Sequence, residues 1–126
     1  VQSDGVNGRV YVTSNSGHIS ERSADGGFEI AFTTDDTQNV HVPYPVWGLD
    51  VTPWGEAFVG GAHGKVLYTD GTDAGWRELT LPYSANHPEV MWHQVAATSD
   101  GLILAGSEDQ GDGGWLTIVN AYRKAP

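Results

Sequence analysis

Hydrophobic and polar residues alternate in short runs along most of the chain, and apolar residues seldom recur at the three-and-four spacing of a helix. Gly, Asp, Asn or Pro separates almost every pair of runs, as in turns between strands. The pattern therefore predicts an all-β protein built from hairpins. Ten strands are expected, at residues 9–15, 18–23, 28–32, 46–52, 56–62, 65–69, 76–81, 91–98, 102–108 and 115–122.

The runs recur with a period of about 46 residues, since Gly8 and Gly55 lie 47 positions apart, as do Gly17 and Gly64. Four strands in such a period are typical of a β-propeller blade, whose sheet faces are buried against neighbouring blades. We expect a β-propeller of four-stranded antiparallel blades, of which the chain supplies about two and a half. The expected units are a partial blade at 1–36 that lacks its first strand, a complete blade at 37–82, and a partial blade at 83–126 that lacks its last strand. A different all-β sandwich or barrel is the alternative.

Two turns of similar sequence, "SADGGF" and "TDGTDAGW", end in an aromatic residue. They resemble the Asp-box, or BNR repeat, of sialidase-like propellers, and the flanking "GGAHGKVLYTDG" also resembles repeats of photosystem assembly-factor propellers. The first turn lacks the Thr of the family pattern, and the third unit has no box. The resemblance implies structural turns on the outer edge of each blade, between its third and fourth strands. The residues that carry it are Ser23, Asp25, Gly27 and Phe28, then Asp70, Asp73, Gly75 and Trp76.

The resemblance implies that ligands bind on the opposite face, where the connections 33–47 and 82–92 lead into the first strand of a blade. Aligning Trp47 with Trp92 puts Pro43 on Pro88 and gives a shared P-x-x-[V/M]-W. A Trp beside His, Tyr and Asn offers an apolar ring face and polar groups to a sugar. We therefore expect a glycan ligand, although the two tryptophans are also well suited to anchor the core at the start of the inner strand. The candidate binding residues are Trp47, Trp92, Tyr44, Tyr83, His41, His87, His93 and Asn86.

Catalysis is not expected from this chain. The sialidase resemblance implies an arginine triad, which Arg9, Arg22, Arg77 and Arg123 do not supply on one face. No catalytic residue and no cofactor is assigned. The main hypothesis is a non-catalytic, lectin-like module; the alternatives are a structural or protein-interaction propeller and a fragment of a propeller glycosidase.

A calcium site is a further hypothesis for the Gly-rich stretch 107–114, where Glu108, Asp109 and Asp112 offer carboxylate oxygens. The spacing is not that of an EF-hand, and the alternative is a solvated hairpin loop.

Charge narrows the choice of partners. Sixteen acidic and six basic residues give a formal net charge of −10, which argues against nucleic acid and anionic membrane surfaces. The chain has no cysteine, and its first residues do not have the shape of a signal peptide. A secreted or extracytoplasmic location is expected for a chain whose leader has been removed. Because open sheet edges would aggregate, we expect either a homo-oligomer or the remaining blades of a longer propeller as partner.

Overall fold

The computed structural model describes residues 2–6, 9–22, 25–35, 43–71, 75–109 and 115–123. The fold is all-β, with antiparallel sheets and one short helix. No helix in these residues is long and apolar enough to cross a membrane. The elements are β1 (Gln2–Val6), β2 (Arg9–Thr13), β3 (His18–Arg22), β4 (Phe28–Thr33), β5 (Val46–Val51), β6 (Ala57–Gly61), β7 (Lys65–Thr69), β8 (Trp76–Thr80), α1 (Pro82–Asn86), β9 (Met91–Ala97), β10 (Gly101–Asp109) and β11 (Trp115–Arg123).

Each sheet is a meander in which strands that follow one another in sequence are paired. The first sheet has the order β1-β2-β3-β4, the second β5-β6-β7-β8, and the third β9-β10-β11. The ten predicted strands are confirmed as β2 to β11. The prediction that the first unit lacks its first strand is wrong, because β1 pairs with β2 from Gln2↔Thr13 to Val6↔Arg9.

Alternating side chains bury the inner faces of the sheets in two clusters. Tyr11 and Ile19 of the first sheet share a cluster with Val59 of the second. Val66 of the second sheet shares the other with Leu104 of the third. Strand β5 lies against both β1 and β9, so the first strands of successive sheets are neighbours. The described residues form no closed barrel and no closed ring of sheets.

The strand pairs align the second and third sheets differently from the alignment of Trp47 with Trp92 in the sequence. Leu49 pairs with Val59 in the second sheet, and Val95 pairs with Leu104 in the third. Strand β9 therefore matches β5 at an offset of 46, not 45. At this offset Trp92 corresponds to Val46, and both side chains are buried. The shared P-x-x-[V/M]-W pattern thus aligned residues that occupy different positions in their strands.

Candidate functional site

The connection between β8 and β9 contains α1, and local packing fixes its position. Pro82 is in the first turn, where its fixed φ suits a helix start. The Nε1–H of Trp92 donates to Ser84 Oγ at 3.1 Å. Gly64 has a φ of +70°, and a Cβ there would lie 2.7 Å from the Cβ of Ser84. Glycine at this hairpin therefore lets α1 approach the second sheet.

Three side chains meet beside α1. The rings of Tyr83 and His87 stack with their centroids 4.1 Å apart and their planes at 6°. His87 Nδ1 lies 3.0 Å and 3.2 Å from the two carboxylate oxygens of Glu108. The His87 side chain is 41% exposed, whereas that of Glu108 is 14% exposed. We call Tyr83, His87 and Glu108 the α1 cluster.

The surroundings of Tyr83 favour its neutral form. Burial raises the pKa of the Tyr83 hydroxyl, and the charge of Glu108 and a hydrogen bond to it raise the pKa further. The Tyr83 backbone N–H donates to the hydroxyl of Tyr122 at 3.3 Å. The α1 cluster therefore combines an ordered aromatic pair with one carboxylate, and the His87 side chain is 41% exposed.

A second neighbourhood surrounds Tyr44, in the connection that leads into β5. Tyr44 is 2% exposed, and its hydroxyl donates to the carboxylate of Glu78. Glu78 also forms an ion pair with Lys65 at 3.1 Å. The exposed His63 ring meets the Tyr44 ring edge-on, at a centroid distance of 5.7 Å. Tyr44 is thus part of the core, and only its hydroxyl reaches polar groups near the surface.

Trp47 and His93 form a third pair, between β5 and β9. Their ring centroids lie 4.7 Å apart with the planes at 43°, and His93 Nε2 lies 3.0 Å from Ser107 Oγ. Both residues are partly buried. This pair belongs to the first strands of two sheets and lies apart from the stacked rings of the α1 cluster in the contacts described.

The predicted binding residues do not form one site. Tyr83 and His87 come together, and Asn86 is exposed at the end of α1. Trp92 is fully buried, so it has no surface for a ligand and acts as the anchor of α1. His41 lies outside the described residues. Sequence reasoning did not assign Glu108 to the binding site, because its contact with His87 depends on how β10 packs against α1.

The two turns that resemble Asp-boxes differ from each other. Asp25 Oδ1 accepts a hydrogen bond from the Gly27 N–H at 3.0 Å, and Gly26, not Gly27, has the positive φ, of +89°. In the second turn Gly75 has a φ of +82°. Phe28, which closes the first turn, is 52% exposed. Ser23 and Asp73 lie outside the described part.

The calcium hypothesis gains no support from the described residues, which contain no group of three or more His, Asp or Glu able to hold a metal ion. Glu108 contacts His87, and Asp112 lies outside the described residues. No family model, curated protein or solved structure matches the chain.

Proposed function

We propose that the chain is a non-catalytic, lectin-like module that binds carbohydrate at the α1 cluster. The observation that carries the proposal is the flat stack of Tyr83 and His87, with His87 partly exposed. A ring held rigid in this way offers an apolar face to the C–H surface of a sugar, and the exposed Asn86 amide offers a donor and an acceptor to hydroxyls. The net charge of −10 favours neutral or amino sugars over acidic ones.

The position of the Glu108 carboxylate agrees with sugar binding without hydrolysis. Glycoside hydrolysis commonly uses two carboxyl groups, about 5 to 9.5 Å apart, that reach the scissile bond. Glu108 is largely buried and contacts His87 with both oxygens. Its proposed role is to fix the orientation of the imidazole. An extracytoplasmic location would suit this function and stays a prediction.

The proposed architecture is a segment of an Asp-box β-propeller. Three consecutive meanders, the contacts of β5 with β1 and β9, and the repeat offsets of 46 and 47 residues support it. The turn before β8 supports it as well, because Gly75 takes a positive φ immediately before Trp76. The alternative of a two-sheet sandwich does not account for three sheets that each pair their strands in sequence order.

A glycan array with neutral, amino and acidic sugars tests the proposed function, followed by titration of the strongest ligand. We expect His87→Ala to weaken its binding about tenfold or more, equivalent to ~1.4 kcal/mol. His63→Asn is the matched control, since it alters the exposed histidine beside Tyr44 and Asn tolerates the φ of +57° there. Absence of sugar binding, or an equal loss in both variants, would contradict the proposal.

A protein-binding role is the second candidate, and exposed apolar side chains favour it. Phe28 and Ile30 of β4 are 52% and 60% exposed on the face of the first sheet that points away from the second. Ile103 is 46% exposed on the corresponding outer face of the third sheet. These faces fit a head-to-tail homo-oligomer, and two copies would bring together six sheets, within the roughly four to eight of propellers.

The mass in solution tests this second candidate. We expect a dimer that Ile30→Ser dissociates, since a polar side chain there weakens an apolar interface. Sedimentation equilibrium of the unaltered chain and the variant measures the change. A monomer at every concentration would contradict self-association and leave the sugar-binding test unaffected.

A further inference from the structure

An aromatic contact joins the outer strand of the second sheet, β8, to β2 of the first sheet. Trp76 is the first residue of β8 and meets Tyr11 of β2 edge-on, with ring centroids 5.3 Å apart and planes at 87°. Tyr11 is 1% exposed. The fourth strand of the second sheet thus supplies the ring that covers Tyr11 of the first.

Phe58 occupies in the second sheet the position that Tyr11 occupies in the first. The two residues are 47 positions apart, as are the hairpin glycines Gly17 and Gly64, which both have positive φ. Tyr11 pairs with Glu21 on the third strand of its sheet, and Phe58 pairs with Tyr68. Phe58 packs toward the third sheet in the same way that Tyr11 packs toward the second.

The third sheet differs at the strand that would cover Phe58. In the described residues β11 pairs with β10 on one side and with no strand on the other. A groove of about 220 Å³ opens between the second and third sheets, beside Phe58. Its lining residues are Glu56, Phe58, Leu81, Thr98, Gly101, Leu102 and Tyr122.

The register relates this groove to the location of Trp76. Trp76 of β8 pairs with Thr69 of β7, and Thr69 in turn pairs with Ala57 of β6. The corresponding pair in the third sheet is Leu102 with Tyr122. A ring opposite Tyr122 on an added strand would therefore lie at the groove and face Phe58. An apolar cavity of ~150 Å³ accommodates benzene, so the groove has room for an aromatic side chain.

We propose that the outer edge of β11 and the Phe58 groove form an acceptor site for a β-strand of a partner polypeptide that presents an aromatic side chain. The strand runs antiparallel to β11, as β8 does to β7, and an aromatic side chain fills the groove. The free N–H and C=O groups of an edge strand provide main-chain affinity, and the groove provides selectivity for the ring. No residue of the α1 cluster lines the groove, although Tyr122 of the groove accepts the Tyr83 N–H, and peptide binding is measured without a sugar.

A peptide with the sequence of residues 75–81, GWRELTL, capped at both ends, is the probe, because this segment already acts as a fourth strand in the second sheet. The control peptide has Ala in place of Trp. We expect the Trp peptide to bind the unaltered chain at least about threefold more tightly than the Ala peptide, and to slow hydrogen exchange at the β11 amides. Fluorescence anisotropy and hydrogen exchange measure the two effects.

Two variants of the protein locate the binding site. Phe58→Leu keeps an apolar side chain but removes the ring, and should weaken the Trp peptide about three- to tenfold. His63→Asn lies in the hairpin that follows β6, at the end of that strand away from Phe58, and should leave affinity unchanged. The two peptides are compared on the unaltered chain, so the test does not depend on how well Phe58→Leu folds.

Three results would overturn the proposal. One is equal affinity for the two peptides. Another is protection at β7 instead of β11, which would mean that the peptide replaces β8 in the second sheet. The third is the absence of peptide binding together with β11 amides that are already protected by self-association. A second copy of the chain would then occupy the acceptor site.

Discussion

Tyr44 and Tyr83 lie in the connections that lead into β5 and β9, yet their surroundings differ. The Thr34 hydroxyl contacts the Tyr44 backbone N–H and C=O, both at 2.8 Å, and Tyr44 is 2% exposed. Tyr83 is partly buried and stacks on the partly exposed His87. The comparison shows that equivalent connections have diverged, since one is fixed to the core and the other presents rings to solvent.

The difference follows from how each tyrosine satisfies its polar groups. A buried hydroxyl needs a partner, and Tyr44 finds Glu78 on the same second sheet that covers its ring. Tyr83 is held by the α1 turn, and that turn depends on Trp92 beneath it. The partly exposed rings of the α1 cluster are therefore ordered by a residue, Trp92, that is itself fully buried.

The largest effect is expected for the anchor of α1. Trp92→Ala should lower the free energy of unfolding by about 3–5 kcal/mol, because it leaves a cavity in the core between the second and third sheets. Trp47→Ala should cost less, since Trp47 is only partly buried. Urea denaturation measures both. Trp92→Phe is the control, because it keeps a ring but loses the hydrogen bond to Ser84. If Trp47→Ala and Trp92→Ala lowered the free energy of unfolding equally, Trp92 would not be the stronger anchor of the two.

A glycine substitution tests how tightly the Tyr44 connection is packed. Gly17 has a φ of +87°, and a Cβ there would lie 2.5 Å from Thr34 Oγ1 and 2.7 Å from the Tyr44 carbonyl oxygen. Gly75 has a similar φ of +82°, but no atom of the described residues lies within 4 Å of such a Cβ. Both Ala variants carry the backbone cost of about 1–2 kcal/mol. Gly17→Ala should cost ~1–3 kcal/mol more, the range typical of overpacking.

Thermal and urea unfolding of the two glycine variants measure this difference. Equal destabilisation would mean that the Tyr44 connection shifts freely and is not fixed to the core.

The smallest effect is expected from the ionisation of Tyr83. Its pKa is raised in the folded state, first by burial and then by Glu108, so the folded chain holds the hydroxyl proton more tightly than the unfolded chain. The resulting stabilisation is complete below the unfolded pKa, about 10, and is lost as the pH rises through the higher folded pKa. Tyr83→Phe should flatten the alkaline fall in stability.

Urea denaturation between about pH 9 and 11 measures that slope. Tyr68, whose pKa is raised to about 12 by burial and by its hydrogen bond to Glu56, provides the comparison, because Tyr68→Phe should also reduce the slope. A slope that Tyr83→Phe leaves unchanged would show that Tyr83 is not protected in the folded chain.

Alternation and turn residues allowed most of the strands to be predicted, because a half-buried strand must alternate and a hairpin needs Gly, Asp or Asn at its turn. Strand β1 was missed, since QSDGV is polar and contains Gly, and pairing with β2 defines it. The helix α1 was missed because five residues are too few for a helical period. Of the candidate site, Tyr83, His87 and Asn86 were predicted, whereas the role of Glu108 depended on a contact across 21 positions.

The sequence by itself determined the all-β class, the hairpin order and the approximate period, because these depend on local alternation and turn chemistry. Only the tertiary structure decided which aromatic residues are accessible. Trp47 and Trp92 look alike in sequence, but a shift of one residue in register puts Trp92 in the core and leaves Trp47 partly exposed. Side chains along a strand point alternately to its two faces, so such a shift exchanges the buried and exposed positions.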